Sequence, residues 1–461
     1  MKALGHGEIP FSPDILQIFF LANQGNSLKL TNEACDGQLF VPADTRVELS
    51  HMPALFWSIL IGSLNLYKLL LSGFQFSRLS FASSFLSTLN MEKMKMKKLY
   101  AHLLIILIFF IDLSSCRDVQ AVFIFGDSVF DAGNNRFNKN CSVQADFPPY
   151  GSTFFHHPTG RFTNGRTVAD FILHAAQFIG IGLQQPFLEA QIAVRNGSTK
   201  VYPPNGVNFA SAGSGVLPGT NKEWGVTPIQ EQLRQFQTLV DQKWINKSVV
   251  ERSLFFLESG SNDIFNYFLP FDPPTLEPDA YVQAMIKEVS DLIDQLYKAG
   301  TRRIAVFSLG PVGCVPARAL LPRAPIDRCY GKMNVMVKKY NKALEKLVND
   351  IPTTHPGAIA VYGAVYDTVQ HFCAIPTRYG FSDVSSACCG DGPLGGQVQC
   401  GKEGYKICQN PERYLFWDYF HPTQHTYKLI SKALWSGNKS RIRPINLKTL
   451  VNLTQNHKVI T

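Results

Sequence analysis

The stretch AVFIFGDSVFDAGNN, residues 121–135, decides how the rest of the chain is read. Ala121 to Phe125 form an apolar run that stops abruptly at Gly126-Asp127-Ser128, and a second small, polar cluster follows from Asp131 to Asn135. An uninterrupted apolar run suits a strand covered on both faces, as in a parallel sheet. Gly, Asp and Ser all favour turns, so a plain turn accounts for the residue types. A reactive serine at the rim of a sheet accounts for them equally well.

Runs of the same kind recur at 206–213 (GVNFASAG), 253–260 (SLFFLESG), 302–310 (RRIAVFSLG) and 358–366 (AIAVYGAVY). Between them lie helical patterns. Val282, Met285, Ile286, Val289, Ile293 and Leu296 recur at three- and four-residue steps before Gly300, which predicts a helix over 279–299. Similar faces occur around 167–179, 228–240, 333–349 and 425–436. Alternating strands and helices predict an α/β sandwich with a mainly parallel sheet. No repeat or composition break follows residue 117, so one domain over 117–445 is expected, then a basic tail over 446–461.

Ligands of such sheets sit beyond the carboxyl ends of the strands. The first three strands end in Gly126-Asp127-Ser128, Ser211-Ala212-Gly213 and Gly260-Ser261-Asn262-Asp263, which the rule places on one rim. A serine nucleophile needs a base, an orienting acid and donors for the oxyanion. The segment FWDYFHPTQH, 416–425, offers the acid and the base in Asp418 and His421, three residues apart. The amides of Ser128 and Gly213 and the side chain of Asn262 are the candidate oxyanion donors. Each piece has a plainer reading. Ser128 alone is a turn serine, Gly213-Ser214-Gly215 a flexible turn, Asn262-Asp263 a helix cap and Asp418-x-x-His421 a surface pair. Asp131 competes with Asp418 as orienting acid, although its place beside the nucleophile suits a turn role better. The G-x-S-x-G elbow is absent, which argues against the α/β-hydrolase fold. Dinucleotide and P-loop spacings are absent as well.

In combination these blocks become specific. The chain resembles the plant GDSL esterase/lipase family of the SGNH hydrolase superfamily over nearly all of residues 119–436. The resemblance rests on FIFGDSVFDAGNN, PPYGSTFFHHPTGRFTNGR (148–166), GVNFASAGSGVL, GSNDIF, LGPVGCVP (309–316) and CCGDGPLGG with YLFWDYFHPT. It implies a three-layer α/β/α sandwich with a mainly parallel, flavodoxin-like sheet. It implies Ser128 as nucleophile, Asp418 and His421 as acid and base, and Ser128, Gly213 and Asn262 as the oxyanion hole. The activity implied is cleavage of a small-molecule or lipid ester through an acyl-serine, with no cofactor or metal. Two departures stand out. Val129 replaces the family's leucine, and Glu258-Ser259 precede the third block where small or apolar residues are usual. An extra acid there alters the field at the oxyanion hole. Two rivals therefore stay open: an acyltransferase using the same serine, and a catalytically weak secreted lipid- or glycan-binding protein.

The N-terminal quarter has another character. Residues 91–116, MEKMKMKKLYAHLLIILIFFIDLSSC, place lysines before an apolar run, Leu103 to Ile111, and small residues after it. That is the layout of a secretory signal peptide. Residues 1–90 read as an upstream extension, with a membrane segment at 54–71 as the alternative. After a cut near Cys116 eight cysteines remain: Cys141, Cys314, Cys329, Cys373, Cys388, Cys389, Cys400 and Cys408. In an exported chain an even count predicts disulfides, and Cys314 with Cys329 is suited to closing a local loop. Export also gives meaning to the glycosylation triplets at Asn196, Asn246, Asn438 and Asn452; Asn140 is a weaker fifth. The net charge of +9 is scattered, without a basic stripe interleaved with aromatics, so nucleic acid is not an expected partner. Its clearest run, Lys439, Arg441, Arg443, Lys448 and Lys458, suits a solvated tail or a weak attachment to acidic cell-wall polymers.

Overall fold

The computed structural model describes residues 119–173, 179, 181–271 and 274–453. The expected extension over 1–90, its segment 54–71 and the signal-peptide pattern over 91–116 lie outside the described residues.

The opening stretch forms strand β1, Val122–Gly126, buried along its whole length. Side chains alternate between the faces of a strand, so Phe123 and Phe125 enter one core while Val122 and Ile124 enter another. That alternation is why the run is apolar at every position. Five further strands follow in the main sheet: β2 (Gln185–Pro186), β3 (Val207–Asn208), β4 (Leu254–Glu258), β5 (Arg303–Phe307) and β6 (Ile359–Gly363). Their spatial order is β6-β5-β4-β1-β3-β2, all pairs parallel, and Ile442–Arg443 adds an antiparallel edge beside β6.

Helices cover both faces. The helices Ile229–Asp241, Pro278–Lys298 and Gly331–Thr354 bury their apolar stripes in the core that contains Phe123 and Phe125. Helices Val168–Leu173, Val365–Ala374 and Gln424–Ser436 do so against Val122 and Ile124. The result is the α/β/α sandwich with a mainly parallel sheet. From β1 the chain runs out to β2, returns through β3, and then crosses to β4 on the other side of β1. The strand order therefore reverses at β1, which is where an open α/β sheet leaves a crevice for a ligand.

Three expectations change. The run 206–213 yields a strand of only two residues, because Asn208 Oδ1 accepts the Ala210 amide at 2.9 Å and bends the chain. The amides of Phe209 and Ser211 still bond to Ile124 and Gly126 carbonyls, so the segment tracks β1 to its end. Residues 446–451 are not part of a solvated tail: Leu447 and Leu450 are buried in a helix, Leu447–Val451, so packing continues past residue 445. Arg443 of the same basic run pairs with Glu345 and lies over the Tyr362 ring. Finally, six of the eight cysteines pair, as Cys314–Cys329, Cys388–Cys408 and Cys389–Cys400. Cys141 and Cys373 remain thiols. They stand on unrelated elements, Cys141 in a loop with its thiol toward the Val143 carbonyl and Cys373 on the Val365–Ala374 helix.

Candidate active site

Three neighbouring strands, β3, β1 and β4, deliver Gly213, Ser128 and Asn262 to one cavity of about 320 Å³, and His421 lines the same cavity. The sheet end is shaped by close backbone approach. Gly126 has φ +153°, and a Cβ there would run into the carbonyl oxygen of Glu258 on β4. Only glycine brings the two strands together at that point. Its peptide is bracketed by buried Gln232, whose Oε1 accepts the Gly126 amide and whose Nε2 donates to the Gly126 carbonyl, both at 2.9 Å. Beyond it the chain turns tightly, with the Phe130 and Asp131 amides returning to the Asp127 carbonyl and the Val129 amide to Asp127 Oδ1. This turn presents Ser128, which is 9% exposed.

Gly213 has φ +84°, a left-handed conformation that favours glycine, and its carbonyl accepts the Asn221 side chain at 2.7 Å. Asn262 opens the short helix Ser261–Tyr267 and donates one Nδ2 proton to the Ser214 carbonyl at 2.9 Å. The second proton of an amide nitrogen remains for another acceptor. Two acids hold these loops. Asp131 Oδ1 accepts the Gly133 and Asn134 amides and Oδ2 the Ala212 amide at 2.9 Å, while burial pushes its carboxyl up to about 6. It thus ties the β1 loop to the β3 loop and is not placed as an orienting acid. Asp263 accepts from the Val216 and Leu217 amides and the Thr220 hydroxyl, so it clamps the loop after β3 instead of capping its own helix.

The opposite wall is a turn after strand Tyr414–Phe416, closed by the Trp417 amide on the His421 carbonyl at 2.7 Å. Within it Asp418 is fully buried, and its Oδ1 accepts the backbone amides of Phe420 and His421. His421 Nδ1 lies 2.7 and 2.9 Å from the two Asp418 oxygens. A carboxylate in that position calls for a proton on Nδ1, which leaves the Nε2 lone pair free to act as a base. Tyr150 completes the set: its hydroxyl donates to Asp418 Oδ2 at 2.7 Å, and burial holds the phenol well above its usual range. Phe162 packs 4.9 Å from the His421 ring. Tyr150, Phe162 and Trp417 share a small core with Cys388, Cys389 and Cys400.

Tyr150 and Gln232 carry no functional signal of their own in the sequence, and Asp263 carries only that of a strand-end cluster and a helix cap. Tyr150 does sit in the quoted block PPYG, but its partner is 268 residues away. The four asparagines of the glycosylation triplets, Asn196, Asn246, Asn438 and Asn452, are all exposed. No group of three or more metal-ligating side chains is present among the described residues.

The model of a family described as GDSL-like lipase/acylhydrolase matches residues 122–434. Among curated proteins, GDSL esterase/lipase 6 of Arabidopsis thaliana is 67% identical over 336 residues, covering 73% of this chain and 91% of its own. GDSL esterase/lipase At4g16230 of the same plant is 35% identical over 354 residues, with 74% and 93% covered. A GDSL lipase of Tanacetum cinerariifolium is 32% identical over 344 residues, with 73% and 89% covered. Among solved structures, a carbohydrate esterase aligns at 13% identity and a TM-score of 0.26, over 54% of this chain and 60% of that one, which is too slight a likeness to bear on fold or site.

Proposed function

The chain belongs to the GDSL-like lipase/acylhydrolase family, and from that premise we propose that it hydrolyses carboxylic esters through an acyl intermediate on Ser128. In this reading His421 Nε2 takes the proton of the Ser128 hydroxyl as Oγ attacks the ester carbonyl. The amides of Ser128 and Gly213 and the Asn262 side chain receive the oxyanion, and Asp418 stabilises the imidazolium. Collapse expels the alcohol, which leaves with the proton from His421. A water then repeats the sequence with His421 as base and releases the acid, restoring Ser128. No step calls on a metal or cofactor.

The observation that carries the reading is the Asp418–His421 pair set into a cavity that also holds Ser128, Gly213 and Asn262. The apolar part of the lining supports an ester with an apolar acyl group: Phe130, Val168, Phe307, Val369, Ile430 and Leu434 present carbon to the space. The test is hydrolysis of short- and medium-chain aryl esters beside Ser128→Ala and His421→Ala. Each variant is expected to fold normally and lose a factor of about 10⁴ or more in kcat. Near-normal turnover by either refutes the assignment, and failure of a fluorophosphonate to label Ser128 favours a binding protein.

We also infer export. Three disulfides suit an oxidising compartment, the Met91–Cys116 pattern suits a signal, and the exposed Asn196, Asn246, Asn438 and Asn452 are accessible to glycosylation. Expression from Met91 in a plant or yeast secretory host should yield medium-borne protein whose mass falls on treatment with an N-glycosidase; retention inside the cell overturns it. Exposed Lys439 and Lys448 support only a weak, salt-sensitive attachment to acidic wall polymers, and binding that raised salt does not elute removes that idea.

A further inference from the structure

The mechanism leaves one buried acid beside the nucleophile unused. Glu258 ends β4 directly across the ladder from Gly126, and its side chain lines the cavity together with Asp127 and Ser128. Asp127 is fully buried and Glu258 is 5% exposed. Asp127 follows Gly126, the ladder partner of Glu258, so the two buried carboxyls meet at one sheet end, and each bears on the ionisation of the other. Asp127 Oδ1 already accepts the Val129 amide, but Asp127 Oδ2 and Glu258 Oε2 find no donor among the described residues. Two ionised carboxylates here would leave two buried oxygens unsatisfied and two like charges side by side, which is costly on both counts. One shared proton removes both penalties.

We propose that Glu258 is a positioning residue, a carboxylic acid whose O–H bonds to the Asp127 carboxylate, so that the pair holds one proton and one negative charge behind Ser128. The proposal rests on the ester-hydrolase reading for its catalytic consequence, not for the shared proton itself. Burial is the first cause that drives both carboxyls upward, and the Asp127 charge drives Glu258 further. The proton belongs on Glu258 because Asp127 is the partner that accepts the Val129 amide and whose charge is favoured by His421. The other titratable groups around the pair are Asp263 on helix Ser261–Tyr267, Tyr340 on helix Gly331–Thr354 and Tyr427 on helix Gln424–Ser436. Asp263 is occupied by its three loop donors, and both tyrosines are held neutral by burial.

The consequence falls on the turn that presents Ser128. Asp127 fixes that turn through Val129, and the Glu258 O–H fixes Asp127. A donor to a carboxylate favours its charged form, so removing the donor raises the pH at which Asp127 protonates. Protonated Asp127 is a poorer acceptor for Val129 and no longer offers His421 a negative charge.

The test compares wild type, Glu258→Gln and Glu258→Ala. Glutamine keeps a donor in place of the O–H and cannot ionise, so it should retain the wild-type acid limb of kcat/KM and a rate within about threefold at pH 7. Alanine should lower kcat about tenfold or more, with KM little changed, and move the acid limb toward neutral pH. Glu258→Gln as impaired as Glu258→Ala, or Glu258→Ala indistinguishable from wild type, overturns the proposal. Infrared difference spectra of wild type minus Glu258→Gln at pH 7 supply a readout without substrate. A protonated-carboxyl band is expected in wild type, and its absence overturns the shared proton. If that band is present while wild type neither turns over esters nor takes up a fluorophosphonate, the hydrolase reading fails and the proton-sharing pair stands.

Discussion

The two walls of the cavity are built in different ways. On the sheet side Ser128, Gly213 and Asn262 each follow a strand, and neighbouring strands set their spacing through the backbone ladder. Buried polar side chains then brace the strand ends: Gln232 on Gly126, Asp131 on Ala212 and Asp263 on Val216. On the histidine side no main-sheet strand is involved. The Asp418–His421 turn hangs from a two-stranded ladder, Asp383–Ala387 with Tyr414–Phe416. Two adjacent disulfides begin where that ladder ends, at Cys388 and Cys389. The segment 150–166 pins it from outside, through Tyr150 on Asp418 and Thr163 on the Pro422 carbonyl. Distant side chains brace both walls, but one takes its spacing from regular secondary structure and the other from covalent staples. The two should therefore fail differently.

Beyond Ser128 and His421 themselves, the largest expected effect is on the histidine wall. Asp418→Asn preserves shape but replaces the carboxylate that sets the imidazole proton, and kcat should fall about 10⁴-fold. Steady-state kinetics on an aryl ester check it, and a loss below tenfold breaks the assignment of Asp418. On the sheet wall Asn262→Ala removes one of the three proposed oxyanion donors and leaves the two amides, so kcat should fall about 10²–10³-fold with KM nearly unchanged. A fall as deep as that of Asp418→Asn would mean that Asn262 also holds the loop after β3 through its bond to Ser214.

The disulfides sharpen the contrast through stability. Removing Cys389–Cys400 by paired serines frees an 11-residue loop and should cost about 2–4 kcal/mol of unfolding free energy. Activity should fall out of proportion to the change in sheet content, because the bond braces the small core under Asp418 and not the strands. Urea unfolding with parallel circular dichroism and kinetics reads this. Loss of sheet signal in step with activity would show that both walls depend on the staple.

The same contrast explains what the sequence made legible. Strand β1 and the helices Ile229–Asp241 and Pro278–Lys298 lie within a residue or two of their sequence-derived bounds, because burial on one face or both leaves a local period. The three strand-end clusters could be placed on one rim because a parallel sheet aligns strand ends. Gln232 is 106 residues from Gly126 and Tyr150 is 268 from Asp418, and no local pattern marks such partners. The apolar run 206–213 is longer than its strand for another reason: Asn208, inside an otherwise suitable run, bonds to its own backbone two residues on. Leu447 and Leu450 were hidden among basic residues that carry no period. Cysteine parity gave no hint that Cys141 and Cys373 would stand apart.

The smallest predicted effect is also the most discriminating between the walls. Tyr150→Phe deletes one hydroxyl from a buried aromatic and leaves its ring contacts with Phe147, Phe162 and Trp417 intact. Among the described residues Asp418 Oδ2 then keeps only His421, while Oδ1 retains both amides. A hydrogen bond to a charged group contributes about 1.5–3 kcal/mol, so kcat should fall about 10- to 100-fold if that bond orients the pair. If Tyr150 serves only packing, phenylalanine is nearly neutral in both rate and melting temperature. A drop in melting temperature without a drop in kcat would assign the hydroxyl to folding of the stapled loop, since Asp418 would then hold His421 unaided through its two contacts to Nδ1.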